Sequence, residues 1–152
     1  MMRATIALLA AALTTGGCAE PPPQACALSP LPLAADGAVL PGARLTLGEA
    51  EDAAAPAIWQ GPVTIERGGK RCSNAEGLGL LMTPAFLTGE GQVLVTTFSG
   101  SSQQLVLMDQ KTCRTIWTSL QFAGEVRWDA PVLTAGERRI RLGPGCRIAS
   151  QQ

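Results

Sequence analysis

The sequence predicts an all-β domain, a small antiparallel meander closed as a sandwich or a barrel. Three observations lead there. Polar and apolar residues alternate with period two in Arg44-Leu45-Thr46-Leu47, Val63-Thr64-Ile65-Glu66, Val126-Arg127-Trp128-Asp129 and Arg139-Ile140-Arg141-Leu142, the pattern of strands with one buried face. Two segments, Gln92-Val93-Leu94-Val95-Thr96-Thr97-Phe98 and Leu105-Val106-Leu107-Met108, are apolar on both faces and read as central, covered strands. Turn chemistry punctuates them, with Gly89-Glu90-Gly91 before the first and Ser99-Gly100-Ser101-Ser102 between the two, so a meander is expected from about Val93 to Leu120.

In chain order, residues 1–17 read as a secretory leader rather than as part of the fold. Met1-Met2-Arg3 is a short basic start, residues 4–13 carry no charge, and Thr14-Thr15-Gly16-Gly17 supplies small residues for a signal peptidase. Such a segment is too short to span a bilayer permanently. Residues 18–35 are rich in Pro, Ala and Leu, with the run Pro21-Pro22-Pro23, and read as an extended tether. Its second half, with Cys26, Leu28, Leu31 and Leu33, is expected to lie against a single β-domain of residues 36–152. The one helical candidate is residues 49–55, Ala-rich and acidic, closed by Pro56. At seven residues it would be two turns at most.

Charge and composition exclude several function classes. Twelve Lys+Arg balance twelve Asp+Glu and charged residues are 16% of the chain, which leaves no electrostatic footprint for nucleic acid. With no His, the usual general base, the Ser-His and Cys-His nucleophile pairs and the commonest metal ligand are missing. No catalytic, cofactor-binding or metal-binding residue is therefore assigned. The balance is −5 over residues 18–66 and +4 over residues 67–152, where Arg138, Arg139, Arg141 and Arg147 concentrate the basic charge. Those arginines read either as solvated strand faces or as a docking patch for an acidic partner or lipid headgroups.

Other candidate sites resolve toward structure. Cys26, Cys72, Cys113 and Cys146 are isolated singletons, unlike the close pairs of structural zinc sites, and read as two disulfides of an oxidising compartment. Glu49, Glu51 and Asp52 lack the ordered, Gly-punctuated ligands of a calcium loop. Neither Lys70 nor Lys111 stands three residues after a Ser, as a Ser-x-x-Lys nucleophile requires. The aromatic residues Trp59, Trp117, Trp128, Phe86, Phe98 and Phe122 are expected in the core.

Two resemblances sharpen the reading. Thr15-Gly16-Gly17-Cys18 resembles the lipobox of bacterial lipoproteins, with Thr15 in place of the usual Leu. The resemblance implies that Cys18 is acylated and becomes the mature N-terminus, whereas Gly17-Cys18-Ala19 also fits general signal-peptidase cleavage after Ala19. Ala19 is not the retention-type Asp of that family, which implies an outer-membrane destination facing the periplasm.

The second resemblance starts at Thr83-Pro84-Ala85-Phe86-Leu87, continues through Val93-Leu94-Val95, Gly100 and Leu105-Val106-Leu107-Met108-Asp109, and ends on Thr112-Cys113 and Trp117. It looks like one repeat of the quinoprotein-type (PQQ-like) β-propeller family, with Asp109, Thr112 and Trp117 at the matching spacings and Cys113 where the family has Gly. A partial copy opens at Ala130-Pro131-Val132-Leu133 and a weaker one at Ala55-Pro56-Ala57-Ile58. The resemblance implies structural roles, Asp109 and Thr112 closing a turn and Trp117 packing on the neighbouring sheet. A propeller of about four blades of about 40 residues does not fit 152 residues with a leader, so incomplete propeller-like blades join the sandwich and barrel as expected architectures.

The same resemblance bears on the cysteines. A residue in the Gly place needs a positive φ, a strain that a disulfide would offset. That favours Cys72 with Cys113 and Cys26 with Cys146, although spacing alone leaves all three pairings open. The functional expectation is a non-catalytic envelope lipoprotein without cofactors, attached to the membrane through its N-terminal lipid. It would act as an assembly factor or accessory subunit of a periplasmic or outer-membrane protein partner; the alternative is a ligand-binding or enzyme-inhibitory module.

Overall fold

The computed structural model describes residues 24–74 and 78–152; the leader, Cys18 and the Pro21-Pro22-Pro23 run lie outside the described residues. The strands in chain order are β1 (Leu28–Leu31), β2 (Ala38–Leu40), β3 (Ala43–Thr46), β4 (Glu49–Ala50), β5 (Ile58–Gln60), β6 (Thr64–Arg67), β7 (Lys70–Ser73) and β8 (Leu80–Thr88). They continue as β9 (Gln92–Ser99), β10 (Ser102–Asp109), β11 (Thr115–Thr118), β12 (Val126–Asp129), β13 (Val132–Ala135), β14 (Arg138–Leu142) and β15 (Ile148–Gln151). All pairings are antiparallel and make three sheets, β2-β3-β6-β7, β8 to β11, and β12 to β15. The middle sheet is widened beyond β8 by β5 and β4 along one half and by β1 along the other.

The three sheets stack, and the middle one is buried on both faces. Alternate residues of β9 and β10 feed two separate cores. Val93, Val95, Val106 and Met108 pack with Leu45, Ile65 and Trp59 toward the first sheet. Leu94, Leu105 and Leu107 pack with Leu133, Ile140 and Phe122 toward the third. Double-sided burial is why these two strands read as continuous apolar runs. All-β architecture and the expected strands on either side of them are thus present. Among the described residues no sheet closes into a barrel.

Each sheet contains a four-stranded antiparallel unit. The outward residues of the first sheet include Arg44, Glu66 and Arg71, which face one another across β3, β6 and β7. Those of the third include Arg127, Arg139 and Arg141. The described residues form a three-layer stack of antiparallel sheets.

Two expectations are corrected. Residues 49–55 form no helix: Glu49–Ala50 is β4, paired with Trp59 and Gln60 of β5. Asp52 Oδ1 accepts hydrogen bonds from the amides of Ala54 (2.8 Å) and Ala55 (3.3 Å), so the segment turns. Seven residues are too few to offset helix nucleation when a sheet edge offers the backbone partners. The folded domain also does not begin at residue 36. Cys26 is disulfide-bonded, β1 pairs with Phe86, Leu87 and Thr88 of β8, and Trp59 Nε1 donates to the Ala35 carbonyl (3.2 Å). The second half of the expected tether is therefore a strand of the middle sheet.

Candidate functional site

The turn between β10 and β11 is built from the repeat-like residues. Asp109 Oδ1 accepts hydrogen bonds from the amides of Lys111 and Thr112, both 2.9 Å, and from the Thr112 hydroxyl at 3.0 Å. The Arg114 amide donates to Thr112 Oγ1 (3.4 Å), and the Cys113 amide to the Asp109 carbonyl (2.9 Å). Burial would push the Asp109 carboxyl up, but the Thr112 and Lys111 hydrogen bonds and the Lys111 charge together hold it below the usual carboxylate value. Cys113 sits at φ 56°, the left-handed conformation a Cβ disfavours.

The cysteines then clamp the stack. Cys113 is bonded to Cys72 on β7, joining the first sheet to the middle one. Cys26 is bonded to Cys146, in the 3₁₀ turn Pro144–Cys146 between β14 and β15, joining the N-terminal segment to the third sheet. This is the pairing favoured by the sequence, and two disulfides point to an oxidising environment outside the cytosol. Trp117 Nε1 donates to the Cys146 carbonyl at 3.0 Å, so the third repeat-like residue ties the middle sheet to the outer one.

Sequence reasoning missed Asn74. Buried between the first and middle sheets, its Nδ2 donates to the Cys113 carbonyl (3.2 Å) and Thr115 Oγ1 (3.3 Å). A polar residue directly after a Lys-Arg-Cys-Ser strand carries no local mark of that role; its partners are some forty residues away along the chain. Gln110 is also buried and accepts a 2.6 Å bond from Arg67.

The four arginines of the expected patch do not form one surface. Arg139 and Arg141 lie on the outer face of the third sheet, where Arg127, unassigned by the sequence reading, joins them. Arg138 turns the other way and donates from Nε to the Gln121 carbonyl (2.7 Å). Arg147 is exposed beside Cys146. Among the described residues no group of three or more His, Cys, Asp or Glu side chains could hold a metal ion. The acidic residues Glu49 and Glu51 line a shallow cavity with Ile58 and Leu80. Of the aromatic residues, Trp59, Phe86 and Phe122 are buried, while Phe98, Trp117 and Trp128 are partly so.

Exposed large apolar side chains are few. Ile116 and Leu120 belong to β11 and the residues that follow it, and Val39 stands on the first sheet. Strand β11 is an edge of the middle sheet. No protein-family model matches this chain, and no match is found among the curated proteins.

Proposed function

We propose that this chain is a non-catalytic envelope lipoprotein, acylated at Cys18, that serves as an assembly factor or accessory subunit for a periplasmic or outer-membrane protein. The observation that carries the reading is the free edge of β11 with Ile116 and Leu120 exposed beside it. An uncovered edge strand flanked by apolar side chains is a template for pairing with a partner's strand. The lipobox-like Thr15-Gly16-Gly17-Cys18 and the oxidised cysteines support the location.

Two measurements test it. Cys18→Ser should move the protein out of the membrane fraction or leave an unprocessed precursor, and the wild-type chain should carry the mass of an acyl modification at Cys18. Unchanged fractionation without that mass would reject the anchor. Affinity capture from solubilised envelopes should recover one stoichiometric partner that is lost in Ile116→Asp/Leu120→Asp. A partner retained by that variant would reject the edge as the contact.

A second reading, a ligand-binding module, is favoured by the polar groove of about 730 Å³ lined by Arg67, Glu90, Asp109, Gln110 and Lys111. Binding of a small anionic ligand that Arg67→Ala abolishes, with no protein partner recovered, would select it.

A further inference from the structure

The strand directions sort the charged residues between the two ends of the stack. One end collects the turns β2–β3, β6–β7, β8–β9, β10–β11, β12–β13 and β14–β15. These belong together: Arg67 bonds Gln110, Cys72 bonds Cys113, Cys26 bonds Cys146, and the Leu142 amide donates to the Pro131 carbonyl. This end carries Arg67, Lys70, Lys111, Arg114 and Arg147, all exposed. Its acids are Glu90, Asp109 and Asp129, and the Asp109 carboxylate is already engaged within its turn.

The opposite end holds Asp36, Glu49, Glu51, Asp52, Glu125 and Glu137; Arg44 is ion-paired with Asp36, and Arg138 follows Glu137. A chain of formal net charge zero is therefore polarised along its strands. Both of its lysines stand at the basic end.

The N-terminal segment leaves from that same basic end. Leu28 pairs with Thr88, the Gly89 amide donates to the Ala27 carbonyl (3.0 Å), and Cys26 is fixed to Cys146 beside Arg147. The eight peptide steps from Cys18 to Cys26 reach at most about 28 Å, no more than the length of the nine-residue β8 at about 30 Å. An anchor at Cys18 thus keeps the basic turns within about 28 Å of the bilayer, and the stack could stand upright on its acidic end only with the linker at full stretch. Screening limits electrostatic attraction to about 8 Å at physiological salt, so the turn residues feel the surface and the mid-strand arginines do not.

We propose that this basic turn end is a membrane-facing surface that lies on anionic phospholipid headgroups, with the acidic end directed away from the bilayer. The proximity rests on the lipid anchor at Cys18; the attraction itself does not. The test uses the oxidised mature chain from residue 18 onward, carrying Cys18→Ser so that no acyl group contributes. Sedimentation is measured with vesicles of phosphatidylcholine alone and of phosphatidylcholine mixed with phosphatidylglycerol.

Binding is expected to the mixed vesicles only and to fall with added salt. Lys70→Glu/Arg147→Glu should weaken it by about tenfold or more. Arg127→Glu/Arg139→Glu, the same change of net charge on the outer face of the third sheet, should leave it within a few-fold. Circular dichroism and the masses of both disulfides check that each variant folds.

Equal binding to both vesicles, no binding to either, or equal losses in the two variants would overturn the proposal. So would an acidic protein captured through Lys70 and Arg147 by a chain that ignores the mixed vesicles. Fractionation and the mass at Cys18 report separately on the anchor: vesicle binding without acylation keeps the charged surface and removes the tether, and acylation without vesicle binding does the reverse.

Discussion

Cys113 holds a left-handed backbone conformation and a disulfide at once, and the two contributions can be separated. In a Cys72→Ala background, Cys113→Gly should be more stable than Cys113→Ala by about 1 kcal/mol in urea unfolding, because Gly alone adopts that φ without strain. Asp109→Ala should cost about 1–2 kcal/mol through the lost turn hydrogen bonds. The native Asp109 carboxyl is held below its unfolded value. Its contribution is therefore complete above the unfolded value and is lost as pH falls through the folded one. The stability gap between wild type and Asp109→Asn should accordingly narrow in acid below about pH 4. Asp109, Thr112 and Cys113 were legible because a turn is a local object. Asn74 and Gln110 were not, since their partners come from another sheet.

At the scale of elements, β9 and β10 announced themselves because each face meets a different core, so every position is apolar or nearly so. Strand β7 is the opposite case: Lys70-Arg71-Cys72-Ser73 has no apolar alternation, and it forms because β6 and the Cys72 bond hold it. Strand β1, with Ser29-Pro30 at its centre, read as tether for the same reason. In residues 49–55 Ala and Glu favour helix locally, whereas the length of the segment does not allow one.

The hold on β1 can be measured. Cys26→Ala/Cys146→Ala closes no loop of 120 residues, a loss of about 5 kcal/mol in the chain-entropy model. Amide exchange should accelerate first at Leu28 and Leu31 and at their partners in β8, while β9 and β10 stay protected until global unfolding. In the third sheet, Gly136 closes the β13–β14 turn with a positive φ, and a Cβ there would collide with the Ala123 carbonyl. Gly136→Ala should destabilise by more than about 1 kcal/mol.

Across the whole molecule, the all-β class and the meander were legible, and the stacking was not, because no pattern in one strand says which sheet covers it. The charge polarity was half legible. The acidic and basic halves of the chain are visible in sequence, but the two ends of the stack mix them: Glu125 and Glu137 of the basic half join the acidic end, while Arg127, Arg139 and Arg141 stay on a strand face. The same stack sets the order in which bonds must be made. Behind Cys18, the cysteines that form the disulfides emerge from a translocating chain as Cys26, Cys72, Cys113 and Cys146, yet the bonds are nested, the first of these with the last and the second with the third. Oxidation in order of emergence would join Cys26 to Cys72, whose native places are in different cores on opposite faces of the middle sheet. Cys26 must therefore wait for the end of synthesis or be released from a wrong partner by thiol exchange. Biogenesis should depend on a disulfide isomerase, and cells lacking one should accumulate a Cys26–Cys72 species detectable by non-reducing peptide mapping.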